Sequence, residues 1–160
     1  MTNDVLSLRF VLSVLLATPA LAACGSAFEH PTPSGFVELN EDSDRYDYRA
    51  TSADGVVLSV RALDHDPEGE LSFWSRAIQN QLRYHSGYAL LEEHEVESAD
   101  GLEGVQLRFG HDQDDAPHQY FVTIFPTEDT LFLLEAGGTT EEMDRHSGEI
   151  QWAVENFSAR

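Results

Sequence analysis

Apolar and polar side chains alternate in two consecutive segments of the chain, which is the pattern of a half-buried strand. The first segment covers residues 46–50, where aromatic residues alternate with charged ones. Asp54 and Gly55 then provide a hairpin turn. The apolar members of the second segment, which share one face, are Val56, Leu58, Val60 and Ala62. Two antiparallel strands are therefore predicted.

Beyond Glu70 the apolar spacing changes from two residues to three or four, as in an amphipathic helix. The residues that recur at this spacing are Leu71, Trp74, Ile78 and Leu82. Gly87 follows them and suits a helix end, because glycine adopts the left-handed conformation there without steric cost. We predict a helix of about four turns.

Four more segments have the pattern of strands, at residues 88–97, 103–110, 118–126 and 130–136. Residues 98–101 read Ser-Ala-Asp-Gly, as residues 52–55 do, and we interpret both as hairpin turns rather than as an internal repeat. Hairpin connections predict an antiparallel sheet. Residues 131–134 are apolar on both faces, which predicts a central strand covered on both sides.

A last helix is predicted after residue 138. Thr139 and Glu142 have the spacing of a capping box. The apolar residues that share one stripe of this helix are Met143, Ile150, Val154 and Phe157. Ser147 and Gly148 are candidates for a break that divides it into two pieces.

The first 24 residues have the organisation of a secretory signal, with Arg9 before a short apolar stretch and small residues after it. The stretch is too short to span a bilayer as a mature helix. Residues 21–24, Leu-Ala-Ala-Cys, resemble the lipobox of bacterial lipoproteins. The resemblance implies that residues 1–23 form a signal peptide and that lipid on Cys24 attaches the protein to a membrane. The alternative is that Cys24 is an ordinary residue near a signal cleavage site.

Gly25 follows the cysteine where an aspartate would retain a Gram-negative lipoprotein at the inner membrane. The expected location is therefore the cell envelope, at the periplasmic face of the outer membrane if the organism is Gram-negative. Residues 24–35 are rich in proline, serine and glycine, which predicts a lipidated cysteine followed by a flexible tether. Residues 36–160 remain for a single α+β domain, an antiparallel sheet of about six to seven strands flanked by two main helices.

Composition supports a packed but strongly acidic domain. Hydrophobic residues make up 41% of the chain, enough for a core. All nine basic residues are arginines, against 29 acidic residues, and the formal net charge is −20. This charge disfavours nucleic acids and anionic lipid surfaces as partners. Solubility alone is the preferred explanation of this charge, and attraction of cations or of a basic partner is the alternative.

The order of elements resembles the PsbP-like fold, which includes DcrB-type envelope lipoproteins. The residues that carry the resemblance are Asp54, Gly55, Val60, Phe73, Trp74, Gly87, Tyr88, Asp100, Gly101 and Gly104. The resemblance implies a PsbP-like sandwich and a small binding or assembly module. It brings no catalytic signature and no cofactor, and it leaves the partner, expected to be another envelope component, unspecified.

Candidate chemistry is sparse. No serine lies in a nucleophile elbow, the chain has no lysine, and its one cysteine is the lipidation candidate, so we do not expect an enzyme. An envelope hydrolase using scattered glutamates and histidines is an alternative. A periplasmic cation-binding module is another, because one loop combines imidazole and carboxylate groups. Its residues are His111, Asp112, Asp114, Asp115 and His118.

Trp152 departs from the pattern of the last helix. It lies about 200° from Ile150 at the ideal helical step, opposite the apolar stripe. An exposed tryptophan is typical of an interface anchor, so Trp152 is a candidate interface residue. The alternative is that it packs under a loop or against the N-terminal segment.

Overall fold

The structure is a computed structural model that describes residues 27–40, 45–113 and 116–160. Its strands are β1 (Phe28–Glu29), β2 (Phe36–Glu38), β3 (Tyr48–Ser52), β4 (Val57–Asp64), β5 (Ala89–Glu97), β6 (Glu103–Gln113), β7 (Ala116–Pro126), β8 (Thr130–Thr139) and β9 (Ser158–Ala159). Its helices are α1 (Leu71–Ser86), α2 (Thr140–Arg145) and α3 (Ser147–Glu155). None of the helices in this part of the chain is long and apolar enough to cross a membrane.

Seven strands form one antiparallel sheet in the order β2-β3-β4-β8-β7-β6-β5. β1 and β9 form a separate antiparallel pair. The prediction of an α+β fold with six to seven antiparallel strands is confirmed. β8 lies in the middle of the sheet and contributes apolar side chains to both faces, as its continuous apolar run predicted.

One face of the sheet is covered by α1. The helix ends at Gly87, which has a left-handed conformation with φ of 73°. Its apolar stripe packs on strand residues that include Leu107 and Phe109, both fully buried. The helix predicted from the apolar spacing is therefore confirmed, and its buried stripe stabilises this face by removing apolar surface from water.

The opposite face is covered by α2 and α3. The Thr139 hydroxyl accepts from the Glu142 backbone and the Glu142 side chain accepts from the Thr139 backbone, so the capping box forms as predicted. The two helices are separated at His146. The predicted apolar stripe is buried in this core, with Phe157 fully enclosed.

The tether predicted over residues 24–35 includes residues that pack in the folded domain. Phe28 is buried between Phe132 and Phe157, with ring centroids 6.0 and 5.8 Å away, and β1 pairs with β9 at the C-terminus. The Tyr48 hydroxyl also donates to Thr32 Oγ1 at 2.9 Å. These contacts are non-local, so local composition could not reveal them. Cys24 lies outside the described residues.

The two Ser-Ala-Asp-Gly segments fold in the same way. In each, the serine hydroxyl donates to the aspartate carboxylate, at 2.6 Å in residues 52–55 and 2.7 Å in residues 98–101. The same hydroxyl accepts from the backbone N–H four residues after the serine, at 3.0 and 2.9 Å. The glycines have φ of 104° and 84°, a region that side chains disfavour. The prediction of two like hairpin turns is confirmed.

Candidate functional site

A groove of about 680 Å³ lies between the outer strands β5, β6 and β7 and the helices α2 and α3. Its apolar lining consists of Leu91, Val96, Phe121, Met143, Ile150 and Val154. Strand register brings polar side chains to the same face, since Glu92 pairs with Arg108 and His94 with Gln106. The groove therefore combines an apolar floor with polar groups from two neighbouring strands, as ligand-binding clefts commonly do.

Arg108 occupies a fixed position in this groove. Its Nε donates to Gln106 Oε1 at 2.9 Å, and its guanidinium carbon lies 4.8 Å from the centroid of the Phe121 ring. Gln106 is itself buried and donates to Thr123 Oγ1 at 3.1 Å. Because 36% of the Arg108 side chain stays exposed, a bound molecule can reach a guanidinium whose orientation is already set.

Glu92 accepts from both His94 and Arg108. The His94 Nε2 lies 2.8 Å and the Arg108 Nη1 lies 3.3 Å from the same carboxylate oxygen. The hydrogen bond from His94, supported by the charge of Arg108, holds the pKa of Glu92 below its usual value. A carboxylate that is ionised so readily is a poor general acid near neutral pH. Glu92 is therefore suited to accept hydrogen bonds or to pair with a cation rather than to donate a proton.

The rim of the groove is acidic. Its carboxylates are Glu92, Glu95, Glu97, Asp144 and Glu155, and Arg108 is the one arginine in the lining. Glu95, Glu97 and Asp144 make no ion pair with other described residues. The groove therefore has a negatively charged rim around Arg108, whose positive charge is already balanced by Glu92.

Ser52, Asp54 and His146 meet at the tip of the β3–β4 hairpin but do not form a catalytic triad. Ser52 Oγ and His146 Nε2 both bind Asp54 Oδ1, at 2.6 and 2.8 Å, and Arg145 binds the other carboxylate oxygen. In a triad the histidine lies between the serine and the aspartate. Here the serine donates to the carboxylate. That hydrogen bond, with the one from His146, holds the pKa of Asp54 well below its usual range.

A second polar cluster lies on the α1 face. Glu135 is only 6% exposed and accepts from Arg61, Tyr120 and Ser59, with Arg61 Nε at 3.1 Å and Ser59 Oγ at 3.3 Å. Burial, and then the Glu135 charge, raise the pKa of Tyr120 above its ordinary value. These groups satisfy one another, so the cluster fixes the sheet and offers little to a ligand.

The described residues of the candidate cation loop lie in the paired strands β6 and β7. His111 and His118 pair across β6 and β7; the His111 ring lies 4.9 Å from that of Tyr88, and His118 Nδ1 lies 3.0 Å from the Ala116 carbonyl oxygen. Asp112 is exposed in β6. Among residues 27–40, 45–113 and 116–160, no group of three metal-ligating side chains converges. Asp114 and Asp115 lie outside these ranges.

Trp152 lies on α3 with 41% of its surface exposed. It belongs to neither of the two hydrophobic clusters of the domain. It does not line the groove, but Gln151 and Glu155 on the same helix do. At the helical step of 100° per residue, Trp152 lies about 60° from Glu155, beside the groove rim.

No protein-family model matches the sequence, and no curated protein matches it. Solved structures do resemble the fold. LpqN of Mycobacterium tuberculosis, described as involved in cell envelope biogenesis, matches with a TM-score of 0.62 at 13% identity over 82% of each chain. Cyanobacterial PsbP of Synechocystis matches with a TM-score of 0.58 at 12% identity, over 84% of this chain and 87% of the other. The chain has a PsbP-like fold.

A third protein of this shape is PA94 of Pseudomonas aeruginosa, a putative regulator of unknown function. It matches the PsbP-like domain with a TM-score of 0.54 at 12% identity, over 87% of each chain. Identities of this size establish the shared fold alone. The groove of this PsbP-like domain therefore has to be interpreted from its own residues.

Sequence reasoning did not find the groove. Glu92 and Arg108 are 16 residues apart and meet only through the pairing of β5 with β6, whose register shifts at a bulge between Leu90 and Glu92. Residues 105–109 alternate apolar side chains with Gln106 and Arg108, and an arginine on the second face of a predicted strand was the one available signal. Arg108 lies on the face of β6 that lines the groove instead of packing in a hydrophobic cluster.

Proposed function

We propose that this chain is a lipid-anchored, non-enzymatic module of the cell envelope that binds another envelope component in the groove beside β5. The observation that carries the proposal is the fixed and partly exposed guanidinium of Arg108 in an open groove with an apolar floor. Groups oriented in advance lower the entropic cost of binding. Ser52, Asp54 and His146 are the described groups that come nearest to a catalytic triad. They bind one another at the β3–β4 turn in an order that does not activate the serine.

The envelope location is supported by two independent features. The signal and lipobox pattern at residues 1–24 predicts export and lipid on Cys24. The PsbP-like fold is shared with LpqN, which is described as involved in cell envelope biogenesis. Gly25 favours the outer membrane in a Gram-negative organism.

The short distance between the domain and the lipid indicates which kind of partner the domain would meet. Three residues separate Cys24 from Phe28, which is already part of the domain core. An extended chain of this length reaches about 14 Å. The Arg160 N–H donates to the Ala27 carbonyl oxygen at 2.9 Å, so Arg160 also lies at this point. The lipid would thus hold the domain close to the membrane surface, where it would meet a membrane-associated partner.

The anchor is tested by replacing Cys24 with serine. We expect the wild-type protein to incorporate radiolabelled palmitate and to fractionate with membranes. Cys24→Ser should incorporate none and should accumulate as a longer precursor, because the lipid is added before the signal is removed. Absence of label from the wild-type protein would contradict the lipid anchor.

The groove is tested in native membranes with a photo-crosslinking amino acid at Gln151, which lines the groove. The matched control position is Val37, which is 68% exposed on the opposite edge of the sheet. We expect a defined adduct from position 151 and none from position 37. Ser147→Trp, which places a bulky ring in the groove from α3, should abolish the adduct. Equal adducts from both positions, or none from position 151, would contradict the proposal.

A further inference from the structure

We propose that the outer edge of β5 receives an extended, cationic segment of the partner, which adds to the sheet as an eighth strand with alternate side chains in the groove. The inference rests on the proposed function, because it specifies the class of partner for the same groove.

The first observation is the open edge of the sheet. β5 is nine residues long and is the last strand in the sheet order, with no described strand on its outer side. The other edge strand, β2, has only three residues. Every second residue of an edge strand directs its backbone N–H and C=O groups outward, where they can pair with another chain. β5 is therefore the long pairing edge of this sheet.

The second observation is that the groove runs beside this edge. Residues of β5 form one wall of the groove, and Gln151 and Glu155 of α3 contribute to the opposite wall. An extended peptide bound between an edge strand and a helix gains main-chain hydrogen bonds from the strand and side-chain contacts from the groove. Strand addition thus uses both features of this surface at once.

The negative charge of β5 indicates which kind of chain segment would pair with it. Pairing with β6 places Glu92 on the groove face of β5 and Glu93 and Glu95 on the α1 face, so both faces of the edge are negative. Like charges opposite each other destabilise strand pairing, whereas opposite charges stabilise it. A second copy of this chain would set glutamates against glutamates. A segment rich in arginine or lysine would meet opposite charges on either face.

The test uses the lipidated protein in nanodiscs of zwitterionic lipid, so that the membrane itself does not attract the probe. The probe is a blocked nine-residue peptide of alternating arginine and threonine, the length of β5. We expect saturable binding that weakens at least about tenfold between about 50 and 500 mM NaCl, since these charges are exposed to screening. The peptide with glutamate in place of arginine should not bind.

Methylation of the peptide amides separates strand addition from simple charge attraction. Only one alternate set of amides in an added strand faces the sheet. Methylation of that set should abolish binding, and methylation of the other set should preserve it. Equal binding of the two methylated peptides would overturn the inference.

Substitutions in β5 locate the site. Glu95 and Glu97 are exposed on the edge strand β5, where their pairing places them on its α1 face, and Glu95→Gln/Glu97→Gln should weaken peptide binding about tenfold. The matched control, Glu128→Gln/Asp129→Asn, removes two exposed charges from the β7–β8 turn and should change affinity less than twofold. Unchanged thermal unfolding would show that both variants are folded. Equal losses in the two variants, or a dimer that forms through β5, would overturn the inference.

The inference and the proposed function can fail separately. If position 151 gives the adduct and Ser147→Trp abolishes it, but the cationic peptide does not bind, then the groove receives another kind of partner and only the inference is overturned. If position 151 gives no adduct either, both are overturned.

Discussion

The two faces of the sheet are covered to different extents. On one face the 16-residue helix α1 lies across the strands, and Glu135, the one buried carboxylate among the described residues of that face, is paired with Arg61. On the other face the cover consists of two helices of six and nine residues, assisted by the short β1–β9 pair. These shorter elements pack on part of the sheet and leave β5, β6 and β7 to form the groove.

The same type of ion pair has a different role on each face. Glu135 and Arg61 lie in the sheet surface with further hydrogen bonds from Tyr120 and Ser59, so the chain itself satisfies them. Glu92 and Arg108 have side chains 55% and 36% exposed. Removing one partner of a buried pair destabilises the fold, whereas an exposed pair oriented by its neighbours remains accessible to other molecules. Incomplete cover is therefore what leaves the groove open on this face.

The largest effect is expected from removing an aromatic ring from the groove-side core. Phe157 is fully buried and stacks on Phe125 with ring centroids 5.4 Å apart. Phe157→Ala should lower the free energy of unfolding by about 3–5 kcal/mol, measured by urea denaturation. Leu107→Ala is the matched loss on the α1 face and should cost about 2–5 kcal/mol. A loss below about 1 kcal/mol for Phe157→Ala would mean that α3 and the C-terminus do not form a real core.

The low pKa of His30 predicts acid sensitivity that originates on the groove-side face. Burial lowers the pKa of His30 from 6.5 to about 4, and its Nδ1 has no hydrogen-bond partner among the described residues. The unfolded chain gains a proton near pH 6.5 and the folded chain only near pH 4. Acidification between these values therefore favours unfolding, by up to about 3 kcal/mol.

The measurement is the free energy of unfolding against pH for the wild type and for His30→Phe. The ring of His30 lies against Tyr48, at 4.7 Å between centroids, so an apolar ring fits these surroundings. We expect the difference between the two proteins to change across pH 4–6.5 and to stay constant above it. Parallel curves would show that His30 does not control this transition.

Substitutions in the Glu135–Arg61 and Glu92–Arg108 pairs test whether the two pairs contribute differently to stability. Glu135→Gln should lower the free energy of unfolding by about 2–3 kcal/mol, less than for a fully buried pair because Arg61 is 29% exposed. Glu92→Gln should leave stability unchanged within error, because its pair is exposed. Urea denaturation of both variants in one buffer measures the difference. Equal losses would contradict the different roles of the two pairs.

Local signals in the sequence predicted most of the fold. The α1 stripe ending at Gly87 and the capping box at Thr139 depend on residues three or four apart, and both formed as expected. Phe28 was assigned to a tether because its neighbours are proline, glycine and serine, although its burial depends on Phe132 and Phe157 more than 100 residues away. The groove was missed for a related reason. Which β5 side chains face Arg108 depends on strand register and a bulge, and neither follows from local pattern.

The smallest loss of stability among the buried and half-buried aromatic residues considered is expected at Trp152. Its position beside the groove rim and outside both hydrophobic clusters predicts a loss of only about 1 kcal/mol for Trp152→Ala in urea denaturation. If Trp152 anchors the partner next to the groove, the adduct from position 151 should nevertheless fall sharply in this variant, because tryptophan is a frequent hot-spot residue. Gln119→Ala, a change on β7 inside the groove, is the comparison that shows how far the adduct depends on a side chain of the groove itself. A stability loss of about 3–5 kcal/mol would place Trp152 in the core, and an unchanged adduct would restrict the partner to the groove itself.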